Sequence, residues 1–299
     1  MKKRTLFLLL GFALLLFLFP DARAGSRPEA VFFQPYPEYD WSAAKEIFPG
    51  IRYAEYKTED PMRIRFFLMR IDLAGSGVQF DMTPPDPDYG KPMQVDPKRI
   101  IHTKRQTTPD YMAEQRAAGK NMIAAINLSP WSSSFDDPKA WLNGFAVYEG
   151  KPLDTQIRNA FFIYKDGHLE IRSSRKDEKY EEIRYAAFGF DIVLEDGLVL
   201  GDGKARHPRT ALGLSQDGKI LYILICDGRR PWSIGFTERE LGHWLKVMGA
   251  WTGINMDGGG STTLCLFLKG KIRVMNTPSD GRPRLVANNL GILLPASPR

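Results

Sequence analysis

Residues 255–263 read Asn-Met-Asp-Gly-Gly-Gly-Ser-Thr-Thr, with apolar runs on either side: Trp251-Thr252-Gly253-Ile254 before, Leu264-Cys265-Leu266-Phe267-Leu268 after. Three consecutive glycines remove every Cβ from a stretch that begins with a carboxylate and ends in three hydroxyls. Glycine is used where the backbone must adopt φ > 0 or where another group must approach the main chain closely. A flexible linker would set such glycines among polar residues, whereas here they join two strand-like segments. The pattern predicts a sheet protein with Asp257 and a row of backbone N–H groups at a strand end.

Lys2, Lys3 and Arg4 precede an apolar run from Leu6 to Phe19, and Ala22-Arg23-Ala24 supplies a small-x-small cleavage pattern. This is the build of an export signal over residues 1–24, cut after Ala24. The apolar run is 14 residues long, short of the roughly 20 that span a bilayer as a helix. We therefore expect a periplasmic or secreted protein with no stable membrane insertion after cleavage. The other 275 residues suit one large domain, preceded by a proline- and aromatic-rich extended arm over 25–60. The domain itself is expected over 61–299.

The formal charge of +6 falls to about +3 without the leader, which suits an anionic small substrate or a bacterial surface glycan. No basic stripe with interleaved aromatics is present, so nucleic acid is not an expected partner. Cys226 and Cys265 lie in apolar strand-like runs. Export would permit a disulfide between them, and burial as two small hydrophobes is the alternative.

From Arg63 onward short apolar or alternating runs predict strands, among them 160–164, 188–194, 210–215, 220–226, 262–268 and 288–294. Hairpin chemistry separates several of them: Glu149-Gly150, Lys165-Asp166-Gly167, Glu195-Asp196-Gly197 and Gln216-Asp217-Gly218. Five prolines over 83–99 predict an irregular surface loop. Thr108-Pro109 reads as a helix cap with proline at the first helical position. Thr237-Glu238-Arg239-Glu240 is a capping box, followed by apolar residues at helical spacing and by Gly249. The fold class expected is α+β: a single domain on a large mixed, mainly antiparallel sheet with a few helices packed on it.

Four segments end apolar strands in polar or charged residues: Asn127; His207-Pro208-Arg209-Thr210; Asp227-Gly228-Arg229-Arg230; and the glycine loop. Strand ends combine a rigid scaffold with solvent access, so they are candidate site segments. Two aspartates with arginines fit glycoside cleavage, where one carboxylate acts at the anomeric carbon and another manages protons. If the leaving group is a phosphate, its second pKa near 6 lets it depart with little acid assistance. The remaining need is an anion clamp, from Arg209, Arg229 and the loop N–H groups. No cofactor is required by this scheme. Asp227, Asp257, Asn127 and Asn255 also offer oxygen ligands to a divalent cation such as Ca²⁺ or Mg²⁺. The four histidines are scattered without zinc-ligand spacing, and no Gly-Lys-Ser/Thr phosphate loop is present.

These segments resemble the phosphodiester glycosidase family, which includes the uncovering enzyme that removes N-acetylglucosamine from its phosphodiester link to mannose. The resemblance rests on Pro208 to Gly218, the strand into Cys226-Asp227-Gly228-Arg229, the capped helix, Gly253 to Thr263, and Arg282 to Gly291. It covers about 208–294, with a weaker match back to about 120. Family members usually carry an Asn-Gly-Gly/Ser-aromatic-Phe motif where this chain has Asn127-Leu128-Ser129-Pro130-Trp131. The resemblance implies site residues Asn127, Arg209, Asp227, Asn255, Asp257 and the loop Gly258, Gly259, Gly260, Ser261 and Thr262. To these we add Arg229. The expected activity is exported hydrolysis of a sugar-1-phosphate phosphodiester in a cell-envelope or exopolysaccharide glycan, with Asp257 and Asp227 catalytic. A non-catalytic glycan-binding accessory protein and a divalent-metal-dependent phosphodiesterase are the alternatives.

Overall fold

Strand Ile64–Asp72 displays the organising pattern: Phe67, Met69 and Ile71 face one apolar cluster while Ile64, Phe66 and Leu68 face another. Successive side chains of a strand point to opposite faces, so a near-continuous apolar run is the signature of a sheet buried on both sides. Strand Ile220–Cys226 repeats it, with Leu221, Ile223 and Ile225 inward and Tyr222, Leu224 and Cys226 outward. In the computed structural model, which describes residues 38–295 apart from 133, 135 and 136, such strands form three main sheets around one core. The expected leader and the start of the arm (25–37) lie outside the described residues.

The first sheet has eight strands in the order Lys45–Phe48, Ile51–Thr58, Ile64–Asp72, Ile220–Cys226, Arg209–Leu214, Thr252–Asn255, Ile192–Glu195, Leu198–Val199. The second has five: Leu169–Ser173, Asn159–Tyr164, Ile183–Phe188, Ala146–Tyr148, Lys151–Asp154. The third has five: Lys271–Val274, Leu264–Leu268, Met122–Asn127, Asn289–Leu293, Gln79–Met82. Their inner faces share one cluster that includes Met69 and Ile223, Phe161 and Tyr185, and Ile126 and Leu290. Helices cover two of the outer faces. Glu238–Met248 lays Leu241, Trp244, Leu245 and Met248 on the first sheet, and Thr108–Ala117 lays Tyr111 and Met112 on the third.

The fold is thus α+β, mainly antiparallel and with few helices, as expected, but the sheet is divided in three. The Thr237 capping box forms with both reciprocal hydrogen bonds. Three local expectations are corrected. The cap of the earlier helix is Thr107, one residue upstream of the expected Thr108. Residues 45–58 are a hairpin that adds two strands to the first sheet, turning at Pro49-Gly50 with Gly50 at φ +71; they are not an extended arm. The expected strand 188–194 is two, Ile183–Phe188 and Ile192–Glu195, in different sheets. Cys226 and Cys265 are free, buried in separate clusters behind different sheets, so no disulfide links them. Among the described residues no helix is long and apolar enough to cross a membrane.

Candidate active site

The glycine loop is a crossover. It leaves the first sheet at Asn255 and enters the third at Leu264, so its conformation fixes how two sheets meet. Asn127, the last residue of the third sheet's central strand, holds that junction. Its Oδ1 accepts from the Thr210 hydroxyl at 2.8 Å and the Thr263 amide at 3.1 Å, and its Nδ2 donates to the Asp257 carbonyl at 2.7 Å. Asn127 is fully buried. These bonds are directed into the protein and hold the loop in position, in place of the hydroxyl contacts expected of Asn127. Leu128, where the family pattern has glycine, buries its side chain in the main core and accepts the Asp257 N–H on its carbonyl at 2.9 Å.

Each glycine is closely approached. A Cβ on Gly258 would lie 2.6 Å from the Pro208 oxygen, and one on Gly259 3.2 Å from the Arg229 guanidinium. On Gly260 it would lie 2.1 Å from the Arg284 guanidinium and 2.2 Å from the Asp280 carboxylate. The row of N–H groups is largely spent on the loop itself. Gly258 donates to Asp257 Oδ1 at 2.9 Å, Gly259 to Pro208 at 2.9 Å, Ser261 to Gly258 at 3.2 Å and Thr262 to Gly259 at 3.3 Å. The positive charge at the loop therefore comes from guanidinium groups laid on glycine, and the expected amide clamp is corrected. Asn255 Oδ1 and Thr262 Oγ1 are buried with no hydrogen-bond partner among the described residues, an uncommon state for polar groups.

An open cavity of about 570 Å³ lies where the three sheets meet. Pro130, Trp131 and Ser132 line it from the end of the third sheet's central strand. Phe188 to Asp191 line it from the crossover between the second and first sheets, and Asp257 from the glycine loop. Asn143, Arg158 and Arg284 complete the wall. The crossover is held by the Phe190 N–H donating to the Asn255 carbonyl at 2.8 Å and by the Asn255 N–H donating to Asp191 at 2.9 Å. Gly189 is required there, because a Cβ would lie 2.7 Å from the Asn255 oxygen. Burial pushes the Asp257 carboxyl up to about 6; the nearby Ser261 hydroxyl, the Gly258 amide and the Arg284 guanidinium offset it only in part.

The other expected residues are distributed differently. Asp227 is fully buried and absent from the cavity wall. Its Oδ1 accepts from the Thr277 amide at 2.8 Å and Asn276 Nδ2 at 3.3 Å, and its Oδ2 lies 3.6 Å from Arg65. Burial raises it also to about 6. It ties the first sheet to the turn after strand Lys271–Val274, and its Oδ2 has no hydrogen-bond partner among the described residues. The structure does not bring it to the cavity wall, where a catalytic carboxylate was expected. Arg209 is buried against Glu238 at 3.2 Å and donates to the Phe236 and Ala205 carbonyls. Burial lowers its pKa, with Glu238 opposing. Asn255 Nδ2 donates to the same Glu238 oxygen at 3.2 Å. Arg229 adopts a left-handed backbone (φ 56) and lies over Gly259 against His207, 3.3 Å away, outside the cavity. His207 is lowered by burial and by the Arg209 and Arg229 charges.

Two of the four oxygen donors considered for a cation are engaged within the protein. Asn127 Oδ1 is taken by Thr210 and Thr263, and Asp227 Oδ1 by residues 276 and 277. Among the described residues no group of three or more His, Cys, Asp or Glu side chains is placed to hold a metal ion. Sequence reasoning missed Asn143, Arg158, Phe188, Gly189, Phe190, Asp191 and Arg284 as cavity residues. A signal was present at Phe188-Gly189-Phe190-Asp191, where a glycine and a carboxylate interrupt an apolar run.

Aromatic rings, two carboxylates and two guanidinium groups around one cleft in a β-rich domain are the equipment of carbohydrate-active hydrolases. The chain belongs to the phosphodiester glycosidase family, whose profile matches residues 120–293. In sequence it is 24% identical over 255 residues to the SPbeta prophage-derived uncharacterized protein YomE of Bacillus subtilis. That alignment takes in 81% of this chain but only 38% of the relative. In structure it resembles the catalytic domain of zebrafish N-acetylglucosamine-1-phosphodiester alpha-N-acetylglucosaminidase, auto-inhibited by its pro-peptide. The TM-score is 0.60 at 18% identity, covering 84% of this chain and 85% of that one. A hypothetical protein from Synechocystis matches at TM-score 0.55 and 11% identity, over 82% of this chain and 62% of that one. A putative exported protein from Burkholderia pseudomallei matches at 0.52 and 14%, over 77% and 74%. At such identities these structures speak for the fold alone.

Proposed function

We propose that the protein is an exported hydrolase that cleaves a sugar-1-phosphate phosphodiester, in a cell-envelope or exopolysaccharide glycan. The observation that carries the reading is Asp257, held up to about 6 by burial in a cavity lined by Trp131, Phe190, Arg158 and Arg284. The rings offer a face to the sugar, and the guanidiniums match a phosphate. Asp257, ionised above pH 6, acts at the anomeric carbon as nucleophile or as base for water. The C1–O bond breaks and its electron pair leaves on the phosphate monoester, which needs little protonation. Asp191, the second carboxylate of the wall, takes over the proton handling first expected of Asp227. Export rests on the basic, apolar and small-x-small order of residues 1–24.

The test is hydrolysis of methyl N-acetylglucosamine-1-phosphate in ¹⁸O-labelled water by the protein and by Asp257→Asn. Label on the sugar C1, with turnover lost in the variant, supports the reading. Label in the phosphate would instead establish phosphodiesterase chemistry, and full turnover by a folded Asp257→Asn protein would remove Asp257 from the reaction.

A further inference from the structure

A second cavity, of about 540 Å³, adjoins the first and is lined by Arg105, Thr107, Asp280, Arg282, Pro283, Arg284 and Leu285. Two contacts set the cavities side by side. Arg284 lines both cavities, and the Arg105 guanidinium lies 4.2 Å over the ring of Trp131, which lines the first. Among the described residues the wall of the second cavity carries three guanidinium groups and one carboxylate. Arg105 is buried and donates to the Ser134, Asp137 and Leu285 carbonyls, so the exposed positive charge is that of Arg282. The carboxylate, Asp280, is engaged by Arg284 at 2.7 Å. Arg282 is exposed and makes no ion pair or hydrogen bond among the described residues. Its charge is therefore not needed to hold the fold.

The order of groups in a sugar-phosphate diester maps onto this arrangement. The sugar sits by Asp257 in the first cavity, and the phosphate comes next, at the Arg284 boundary. The group esterified to the phosphate then enters the second cavity. We propose that this second cavity is an aglycone subsite for a second anionic group, a phosphate or a carboxylate, carried one short linker beyond the scissile phosphodiester. The preferred substrate is then a polyanionic glycan in which charged groups recur along the chain, not a diester of a neutral alcohol. This rests on the proposed hydrolysis for its orientation, but the charge of the subsite can be read from binding alone.

The experiment compares three diesters of N-acetylglucosamine-1-phosphate, methyl, 3-carboxypropyl and 3-phosphopropyl, with the full chain and with Arg282→Ala. We expect KM for one or both charged aglycones to be about tenfold below that of the methyl ester, equivalent to about 1.4 kcal/mol. Arg282→Ala should abolish that advantage and leave the methyl ester unchanged. Which charged arm gains identifies the anion. Equal KM for all three in the parent protein overturns the subsite and leaves the hydrolase reading standing, as does an advantage that survives Arg282→Ala. If none is turned over, the hydrolase reading fails and calorimetric titration of the same compounds decides. Tighter binding of a charged arm that Arg282→Ala removes then supports the subsite, and equal or absent binding overturns it.

Discussion

Replacing Asp257 by asparagine should make the protein more stable and less active at the same time, and the two effects should separate with pH. The carboxyl titrates near 6 in the fold against 3.8 for an unburied aspartate. At about 1.4 kcal/mol per pH unit, ionising it inside the cavity costs up to about 3 kcal/mol; partial exposure makes this an upper bound. Between those two pH values the folded protein keeps a proton that the unfolded chain has released, so stability falls as pH rises from about 4 to about 6. Below 4 both states are protonated and the cost is absent. Asparagine keeps an oxygen for the Gly258 N–H, which Asp257 accepts at 2.9 Å, and carries no charge at any pH. In urea denaturation at pH 7.5 we expect Asp257→Asn to exceed the parent by about 1–3 kcal/mol, and to match it at pH 4. Turnover of methyl N-acetylglucosamine-1-phosphate should fall by about 10²-fold or more, and parent kcat/KM should rise with pH through about 6. A stability difference that does not change between pH 4 and 7.5 would refute the burial argument. A pH-independent kcat/KM across that range would refute the need for an ionised Asp257.

Three further outcomes follow from the geometry. Asp227→Asn should flatten a similar fall in stability between pH 4 and 6, since burial raises this carboxyl equally. Its turnover should stay within about twofold of the parent, and a loss beyond tenfold would return Asp227 to the chemistry. Asn127→Ala strands the Thr210 hydroxyl, the Thr263 amide and the Asp257 carbonyl together. It should cost about 2–4 kcal/mol in urea denaturation, and a cost below about 0.5 kcal/mol would contradict its place as the junction's fastener. Gly260→Ala puts a methyl where Arg284 and Asp280 now lie. It should raise KM for the sugar-phosphate diester by about tenfold, and an unchanged KM would show that Arg284 does not hold the phosphate.

What the sequence made legible was the part written locally. The capping box at Thr237, the double-faced strand Ile220–Cys226 and the special status of the Asp-Gly-Gly-Gly-Ser loop depend on neighbours within a few residues. The hairpin Lys45–Phe48/Ile51–Thr58 was hidden because its first strand is short and its aromatics fall on both faces of the second, where Tyr53 packs on one cluster and Tyr56 on the other. Residue chemistry alone set Asp227 beside Asp257 as a catalytic carboxylate and Asn127 among the binding residues, since each follows an apolar strand. They differ in what lies beyond the strand end. Asp227 meets the 276–277 turn of another sheet, and Asn127 meets Thr210, Thr263 and the loop backbone. Only Asp257 meets open space.

The same reasoning explains why the cavity's other residues were invisible. A site at the junction of three sheets takes one short segment from each crossover: 130–132, 188–191 and 257. No two of these are near in sequence, and none forms a motif by itself. The glycines bring them together physically. Gly189 lets the aromatic crossover press on the Asn255 carbonyl, Gly258 admits the Pro208 carbonyl, and Gly260 admits the Arg284–Asp280 pair. Small residues at these points trade backbone entropy for close packing between sheets. The loop then acts less as a cradle of amides than as a flat floor on which charged side chains from distant segments are laid. On such a floor the charge can be changed without refolding the loop, since Arg229 and Arg284, which lie over it, come from outside it. Relatives that keep the glycine floor and vary those arginines are therefore expected to share the fold and the anomeric carboxylate while differing in the charge of the aglycone they accept.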